Sequence, residues 1–292
     1  MKKKILILGS NGFIGHNLVD YFSSKHNVEK HKVLSPKRQD LNLLDTAQVS
    51  AYMREHQPDV VIMSAVNINS LDENLIMYFN VERCSDYFGK MITIGSGAEY
   101  DMKNYKPQMS ENYFGENIPS DTYGLSKFVV SNNIEHSNKN IINLRVFGIF
   151  GKYEDYSRRF ISNNICNALL GNQVSLNKNM KFDFLYVNDF VRVVELFIEN
   201  PSKHKNYNIC TNKPIELLKI ATIINALHGK NEKIIIKNSG INPEYSGDNS
   251  LFLSEFGDFK FTPFEESIAA LYQWYKQQIK MDLNISDKLT VN

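Results

Sequence analysis

Residues Lys2–Asn17 read KKKILILGSNGFIGHN. Ile5–Leu8 is a short apolar run, followed by Gly9, Gly12 and Gly15 and then a polar helix start. A buried parallel strand, a tight turn and a helix with its N-terminus facing an anion account for that order. Open amides at a helix N-terminus, backed by the helix dipole, favour a group such as a pyrophosphate. In that frame Gly9 makes the turn, Gly12 admits phosphates to the backbone, and Gly15 lets helix and strand approach. The spacing G-x-x-G-x-x-G is one residue longer at the front than the usual dinucleotide fingerprint.

Outward from that stretch, the chain has room for one large α/β unit or two domains, with 292 residues of which 42% are hydrophobic. Thirty-three basic residues balance 32 acidic ones, a net charge of +1 that offers no nucleic-acid or membrane surface. The three cysteines, Cys84, Cys166 and Cys210, are far apart and form no CxxC pair. A disulfide framework and a zinc site are both disfavoured, and no metal is expected. The basic start is like that of a signal peptide, but its apolar run is too short. With no stretch of about 20 apolar residues for a membrane span, a cytoplasmic protein is expected.

Strands and helices then alternate. The first helix is expected at Ile14–Lys25, a strand at His31–Ser35, and a helix at Thr46–His56 capped by Asp45. A strand at Asp59–Met63, a helix at Leu71–Phe88 and a strand at Met91–Ile94 come next, then a helix at Tyr123–His136 and a strand at Asn140–Phe147. This pattern predicts an α/β fold with a doubly wound parallel sheet, ligands sitting at the carboxyl ends of the strands. Residues 1–150 are read as the dinucleotide-binding domain and 151–292 as a smaller α/β substrate domain. The chain is expected to return to the first domain around 183–200, through a strand-like Phe182–Val187 and a helix at Asp189–Asn200. The segment after Lys280 carries no clear pattern.

A second constellation lies at Ser96 and in Tyr123-Gly124-Leu125-Ser126-Lys127. Tyr123 and Lys127, at i and i+4, share a helix face. A nearby ammonium is expected to draw the phenol's pKa down from about 10 towards neutrality, giving a proton donor or acceptor. A serine hydroxyl opposite holds a substrate carbonyl or alcohol oxygen. Together these groups suit protonation of an alkoxide as hydride arrives from a nicotinamide, or the reverse.

With those residues the chain resembles the extended short-chain dehydrogenase/reductase family of nucleotide-sugar epimerases, dehydratases and reductases, over nearly its whole length. The resemblance is carried by Gly9–Gly15, Asp40-Leu41, Ser64-Ala65, Ser96 with Tyr100, Tyr123 with Lys127, and Arg145-Val146-Phe147-Gly148-Ile149-Phe150-Gly151. Arg38–Asp45 and Tyr272-Gln273-Trp274 look most like GDP-fucose synthases and related 4-keto reductases. The match implies Ser96, Tyr123 and Lys127 as catalytic residues. It also implies a cofactor site of Gly9, Asn11, Gly12, Phe13, Ile14, Gly15, Ser35, Lys37, Arg38, Asp40, Leu41, Ser64, Ala65, Tyr123, Lys127 and Phe147. Asp40 and Leu41 would flank the adenine, and Lys127 would hold the nicotinamide ribose. A homodimer is implied as well, although the interval from Asn80 to Ser96 is about two helical turns shorter than in the family.

The cofactor form is read from Ser35-Pro36-Lys37-Arg38. NAD enzymes place a carboxylate there for the ribose 2′-hydroxyl, whereas cations attract a 2′-phosphate. NADPH is therefore expected, with NAD as the alternative. Family dehydratases place an Asp-Glu pair directly after the catalytic hydroxyl residue. Here those positions are Gly97 and Ala98, and Glu99, one further on, is expected to point elsewhere on an extended segment. The cysteine that GDP-fucose synthases use for epimerisation is also replaced, by Ala98, and the partnering histidine falls near Arg158 or Arg159. Hydride chemistry remains: reduction of a 4-keto nucleotide sugar, or alternatively NAD-dependent 4-epimerisation. A non-catalytic dinucleotide sensor on the same fold is the reading from another class.

The family's phosphate-gripping Asn and Arg are replaced by Gly148 and Phe182. Candidate substrate contacts are Ser96, Gly97, Arg158, Arg159 and Lys181, with Lys178 as a further cation. The dispersed histidines lack metal-ligand spacing. Cys84, Cys166 and the aromatic run Tyr272, Trp274, Tyr275 read as packing, and Asp248 and Glu255 as surface acids.

Overall fold

A computed structural model describes residues 2–229, 233–257 and 259–281; the patternless segment from 282 onward lies outside the described residues. Six parallel strands make the central sheet: β1 (Lys3–Leu8), β2 (His31–Leu34), β3 (Val60–Met63), β4 (Lys90–Ser96), β5 (Ile141–Val146) and a sixth, Asn206–Ile209. Their spatial order is β2-β1-β3-β4-β5-sixth, so the order reverses between β1 and β3. Clefts open at the carboxyl ends of strands at such a reversal. The helices are α1 (Phe13–Phe22), α2 (Thr46–His56), α3 (Leu71–Glu82), α4 (Thr122–His136), α5 (Phe160–Leu169), α6 (Val187–Glu199), α7 (Leu217–His228), α8 (Ser250–Phe256) and α9 (Phe264–Met281).

Successive strand residues point to opposite faces, which explains why these strands are apolar throughout. Ile5 and Ile7 of β1 join one buried layer with residues of α1, α6 and α8. Leu6 and Leu8 join the other with residues of α2, α3 and α4. A third apolar cluster unites α5, α7 and α9 with Phe150 and Tyr186, and in it lie Cys166, Tyr272 and Tyr275. Asp45 caps α2 as expected, accepting from the amides of Ala47 and Gln48. Among the described residues no helix is long and apolar enough to cross a membrane.

The sixth strand, Asn206–Ile209, is not among the expected elements, and two that are expected differ in extent. The helix expected to run to Phe88 stops at Glu82, and Ser85–Tyr87 forms a single 3₁₀ turn. The chain has to turn back there to enter β4 beside β3. The strand expected at Phe182–Val187 breaks at buried Asp183, whose carboxylate accepts from the amide and hydroxyl of Thr211. Lys181–Phe182 pairs antiparallel with Ile215–Glu216, whereas Phe184–Tyr186 pairs parallel with Gly148–Phe150.

The turn between β1 and α1 is closely packed. Gly9 has a φ of +85°, and a β-carbon there would stand 2.5 Å from the Ala65 amide nitrogen at the end of β3. At Gly15 a β-carbon would meet the Gly9 carbonyl oxygen at 2.1 Å. Both neighbours are backbone and have no rotamer to give way. Gly15→Ala is therefore expected to lower unfolding stability by about 3 kcal/mol, measured by urea denaturation, as overpacking does elsewhere. Dinucleotide binding should be lost with it.

Candidate active site

Above the carboxyl ends of the strands lies a cleft of about 1340 Å³. That exceeds the roughly 300–1,000 Å³ of a single small-ligand pocket. Its lining includes Gly9, Asn11, Gly12, Phe13, Ile14, Lys37, Arg38, Leu41, Ser64, Ala65, Ser96, Tyr123, Phe147, Arg158 and Arg159. No side chain caps the N-terminus of α1 and no acid occupies its first turn, so the amides that open the helix are left to the cleft, while that of Gly12 donates to the Gly9 carbonyl at 3.0 Å. This suits the pyrophosphate of a dinucleotide. Lys37 and Arg38 are exposed at the rim.

Six of the expected residues stand elsewhere. Gly15 lies behind the cradle against Gly9. Ser35 is exposed with its carbonyl towards the Ser10 hydroxyl, and Asp40 turns its carboxylate to the Lys37 amide at 3.1 Å. Lys127 lines a small adjoining cavity with Asn74 and Ser126. Lys181 is exposed on its own short strand, outside the cleft lining. Gly97 is covered: a β-carbon there would lie 2.5 Å from the Tyr245 hydroxyl and 2.7 Å from the Phe147 ring.

Ser96 ends β4 and begins a 3₁₀ turn over Gly97–Tyr100. Its hydroxyl accepts from the Ala98 amide at 3.2 Å, while its own amide donates to Glu99 Oε1 at 2.9 Å. Glu99 thus points inward, though because the segment is a turn and not the extended stretch expected. It is fully buried, 2.6 Å from Arg145 Nε, and does not line the cleft. Asn143 donates to both its oxygens. Arg145 completes its bonding with Tyr100 Oη and Ser131 Oγ.

Asp121 caps α4 by accepting from the Gly124 amide at 2.7 Å, which sets Tyr123 and Lys127 one turn apart. The expected fall of the Tyr123 pKa is not what this arrangement produces. Burial pushes the phenol up, the Glu99 carboxylate adds to the rise, and Ser96 and Arg159 only oppose it. Lys127 Nζ donates instead to the Ile94 carbonyl at 2.6 Å and stands 5.9 Å from the Tyr123 ring centre. Burial brings Lys127 itself down to about 8. Tyr123 is consequently a neutral phenol at pH 7, a proton donor.

The two substitutions of the phosphate grip, Gly148 and Phe182, form one steric unit. A β-carbon at Gly148 would lie 2.4 Å from the Phe182 ring. Phe182 fills that space and stacks with Phe184, and with Phe147, Tyr105 and Tyr245 it builds an aromatic wall. The paired arginines separate in role. Arg158 is bound to Asp155 at 2.7 Å, whereas the charge of Arg159 acts on Tyr123 and Glu154. Lys178 packs near Gly240 and is not in the lining.

Sequence reasoning missed Tyr245 and Glu154, both of which line the cleft. Glu154 is buried, which raises its pKa to about 7 against a hydrogen bond from Ser162. Each arrives on a loop with no periodic pattern to mark it. Among the described residues no group of three potential metal ligands occurs.

The model of the NAD dependent epimerase/dehydratase family matches residues 5–210, and the chain belongs to that family. It is 21% identical to GDP-L-colitose synthase of Yersinia pseudotuberculosis, across 96% of this chain and 100% of that one. Among solved structures it resembles a GDP-L-fucose synthetase from Naegleria fowleri, with a TM-score of 0.82, 18% identity and coverage of 96% and 94%. A GDP-mannoheptose C4 reductase from Campylobacter jejuni with NADP bound matches with a TM-score of 0.80, 21% identity and coverage of 94% and 98%.

Removing one partner of the buried ion pair strands a charge in the interior. Glu99→Gln is expected to cost about 3–5 kcal/mol of unfolding stability by denaturant titration. Because Gln keeps an oxygen that can accept the Ser96 amide, the loss should come from the unpaired Arg145.

Proposed function

We propose that this chain is an NADPH-dependent reductase of the 4-keto group of a nucleotide-linked 6-deoxy sugar, serving the synthesis of a surface-polysaccharide sugar. The observation that carries the reading is that Ser96 and Tyr123 line one cleft while the turn after Ser96 presents no proton-transfer group to it. Gly97 is covered, Ala98 has no proton to move, and Glu99 is locked to Arg145. The dehydratases and epimerases that the sequence resembles place such a group directly after the serine, and carbonyl reduction needs none there.

When bound in the glycine cradle, the dinucleotide supplies the hydride to the carbonyl carbon. The Tyr123 phenol gives its proton to the carbonyl oxygen, and Ser96 donates a hydrogen bond to the same atom. Lys127, an ammonium below about pH 8, favours the phenolate left behind. The names of the relatives support this choice of chemistry: a GDP-sugar synthase, and a C4 reductase holding NADP.

Incubation with NADPH and a panel of GDP-, CDP-, UDP- and dTDP-linked 4-keto-6-deoxy sugars should oxidise the cofactor with one of them, the product being identified by NMR. Tyr123→Phe should abolish turnover while leaving NADPH binding intact. Tightly bound NAD that copurifies, with interconversion of 4-epimers, would instead establish the 4-epimerase. No turnover at all, with dinucleotide-dependent partner binding, would establish the sensor.

Preference for NADPH is assigned to Lys37 and Arg38, exposed at the rim where a 2′-phosphate would lie. Replacing both by Ala should raise the KM for NADPH at least about tenfold, a loss of roughly 1.4 kcal/mol or more. The KM for NADH should hardly change. Equal KM values for the two cofactors in the unaltered protein would refute the preference.

A further inference from the structure

Tyr245 lies in the loop before α8, 149 positions after Ser96 in the chain, yet its hydroxyl comes down on the Ser96 turn. Its backbone is tied on both sides of Phe182: its amide donates to the Lys181 carbonyl at 3.0 Å, and its carbonyl accepts from Asp183 at 2.9 Å. Tyr105, Phe182 and Phe147 hold the ring at centroid distances of 4.7, 4.8 and 5.6 Å. The side chain is 6% exposed, and that exposure faces the cleft. With the Ser96 and Tyr123 side chains it lines the cleft, its hydroxyl packed over Gly97, the residue that follows Ser96.

We propose that Tyr245 is a positioning residue whose hydroxyl donates to Ser96 Oγ and thereby fixes where Ser96 and Tyr123 send their protons. A serine hydroxyl has two lone pairs and one proton. The Ala98 amide already engages one lone pair. A donor at the second leaves Ser96 nothing to accept with, so its proton is directed outward into the cleft. Tyr123 then finds no acceptor on Ser96, and its proton too is left for the substrate oxygen. Chained hydrogen bonds polarise one another, so Ser96 becomes a better donor than it would be alone. Burial pushes the Tyr245 phenol far above its usual range, with the Tyr123 phenol adding to the rise, which keeps it a donor at any working pH.

What Ser96 achieves for turnover rests on the reductase reading; the hydrogen bond from Tyr245 does not. The test therefore has two arms, using Tyr245→Phe, Ser96→Ala and the double variant in the full-length protein. In the first arm, kcat is measured with NADPH and the 4-keto-6-deoxy sugar from the panel that the unaltered protein reduces. Tyr245→Phe should lower kcat about ten- to hundredfold, the worth of one hydrogen bond in a dry site, and leave the KM for NADPH within about twofold. The double variant should be no slower than Ser96→Ala, because Tyr245 acts through that hydroxyl. An unchanged kcat in Tyr245→Phe, or losses that multiply in the double variant, overturns the proposal.

The second arm needs no substrate. In protein labelled at serine ¹³Cβ, the Ser96 signal is the one missing from Ser96→Ala. Since Phe keeps the ring, a shift of that signal in Tyr245→Phe reports the hydrogen bond, and an unmoved signal overturns it. A protein that reduces none of the sugars but shows the shift has lost the reductase reading while retaining the bond.

Discussion

Beneath Ser96 lies a buried ion pair, Arg145 with Glu99, neither more than 1% exposed. Withdrawing both charges from water costs several kcal/mol per ion, roughly, and the Coulomb attraction recovers this only when the remaining donors and acceptors are also met. Here they are. Asn143 serves Glu99 from β5, Ser131 serves Arg145 from α4, and Tyr100 links it to Asn208 on the sixth strand. The aromatic faces of Phe114 and Tyr100 stand 4.4 and 5.2 Å from the guanidinium carbon. One network thus joins β5, the sixth strand, α4 and the turn after β4, and its free end is the Ser96 amide held by Glu99. The serine's place is set by a structure tied across four elements, so the same burial that is costly for the charges makes the site rigid.

That rigidity bears on the division of labour in the cleft. At one end the uncapped start of α1 offers amides and a helix dipole. At the other, Ser96 and Tyr123 offer two hydroxyls, and the wall beyond them is aromatic where a diphosphate grip of Asn and Arg would be expected. Gly148 and Phe182 are one change in two places, since the ring occupies the space the missing side chain vacates. Of the cations expected to compensate, Arg158 is held by Asp155, leaving Arg159 as the one whose charge reaches Tyr123.

Much of this was legible in the chain because two regular periods encode it. Burial on both faces leaves unbroken apolar runs such as Ile5–Leu8 and Val60–Met63, and the helical period places Tyr123 and Lys127 on one face. The same runs located the ends of the strands, and with them most of the cleft. What escaped depends on contacts that no local pattern records. The partner of Glu99 is 46 positions away, and Tyr245 arrives on an irregular loop. The direction of the Tyr123 pKa depends on how deeply the ring is buried, which i, i+4 spacing does not express. Phe182–Val187 looked like one strand because its apolar residues hid a buried Asp183 that diverts the chain between partners.

Covered Gly97 constrains how this site can change over evolutionary time. A reaction that needs a carboxylate directly after the serine cannot be reached from this chain by replacing Gly97 alone, because the Tyr245 hydroxyl and the Phe147 ring already hold that volume. The aromatic residues would have to yield first, and Tyr245 is tied by its backbone to either side of Phe182. Any lineage gaining that acid would have to cross intermediates that have lost the aromatic wall first. The glycine therefore acts as a ratchet, keeping a carboxylate out of that position through the absence of a side chain.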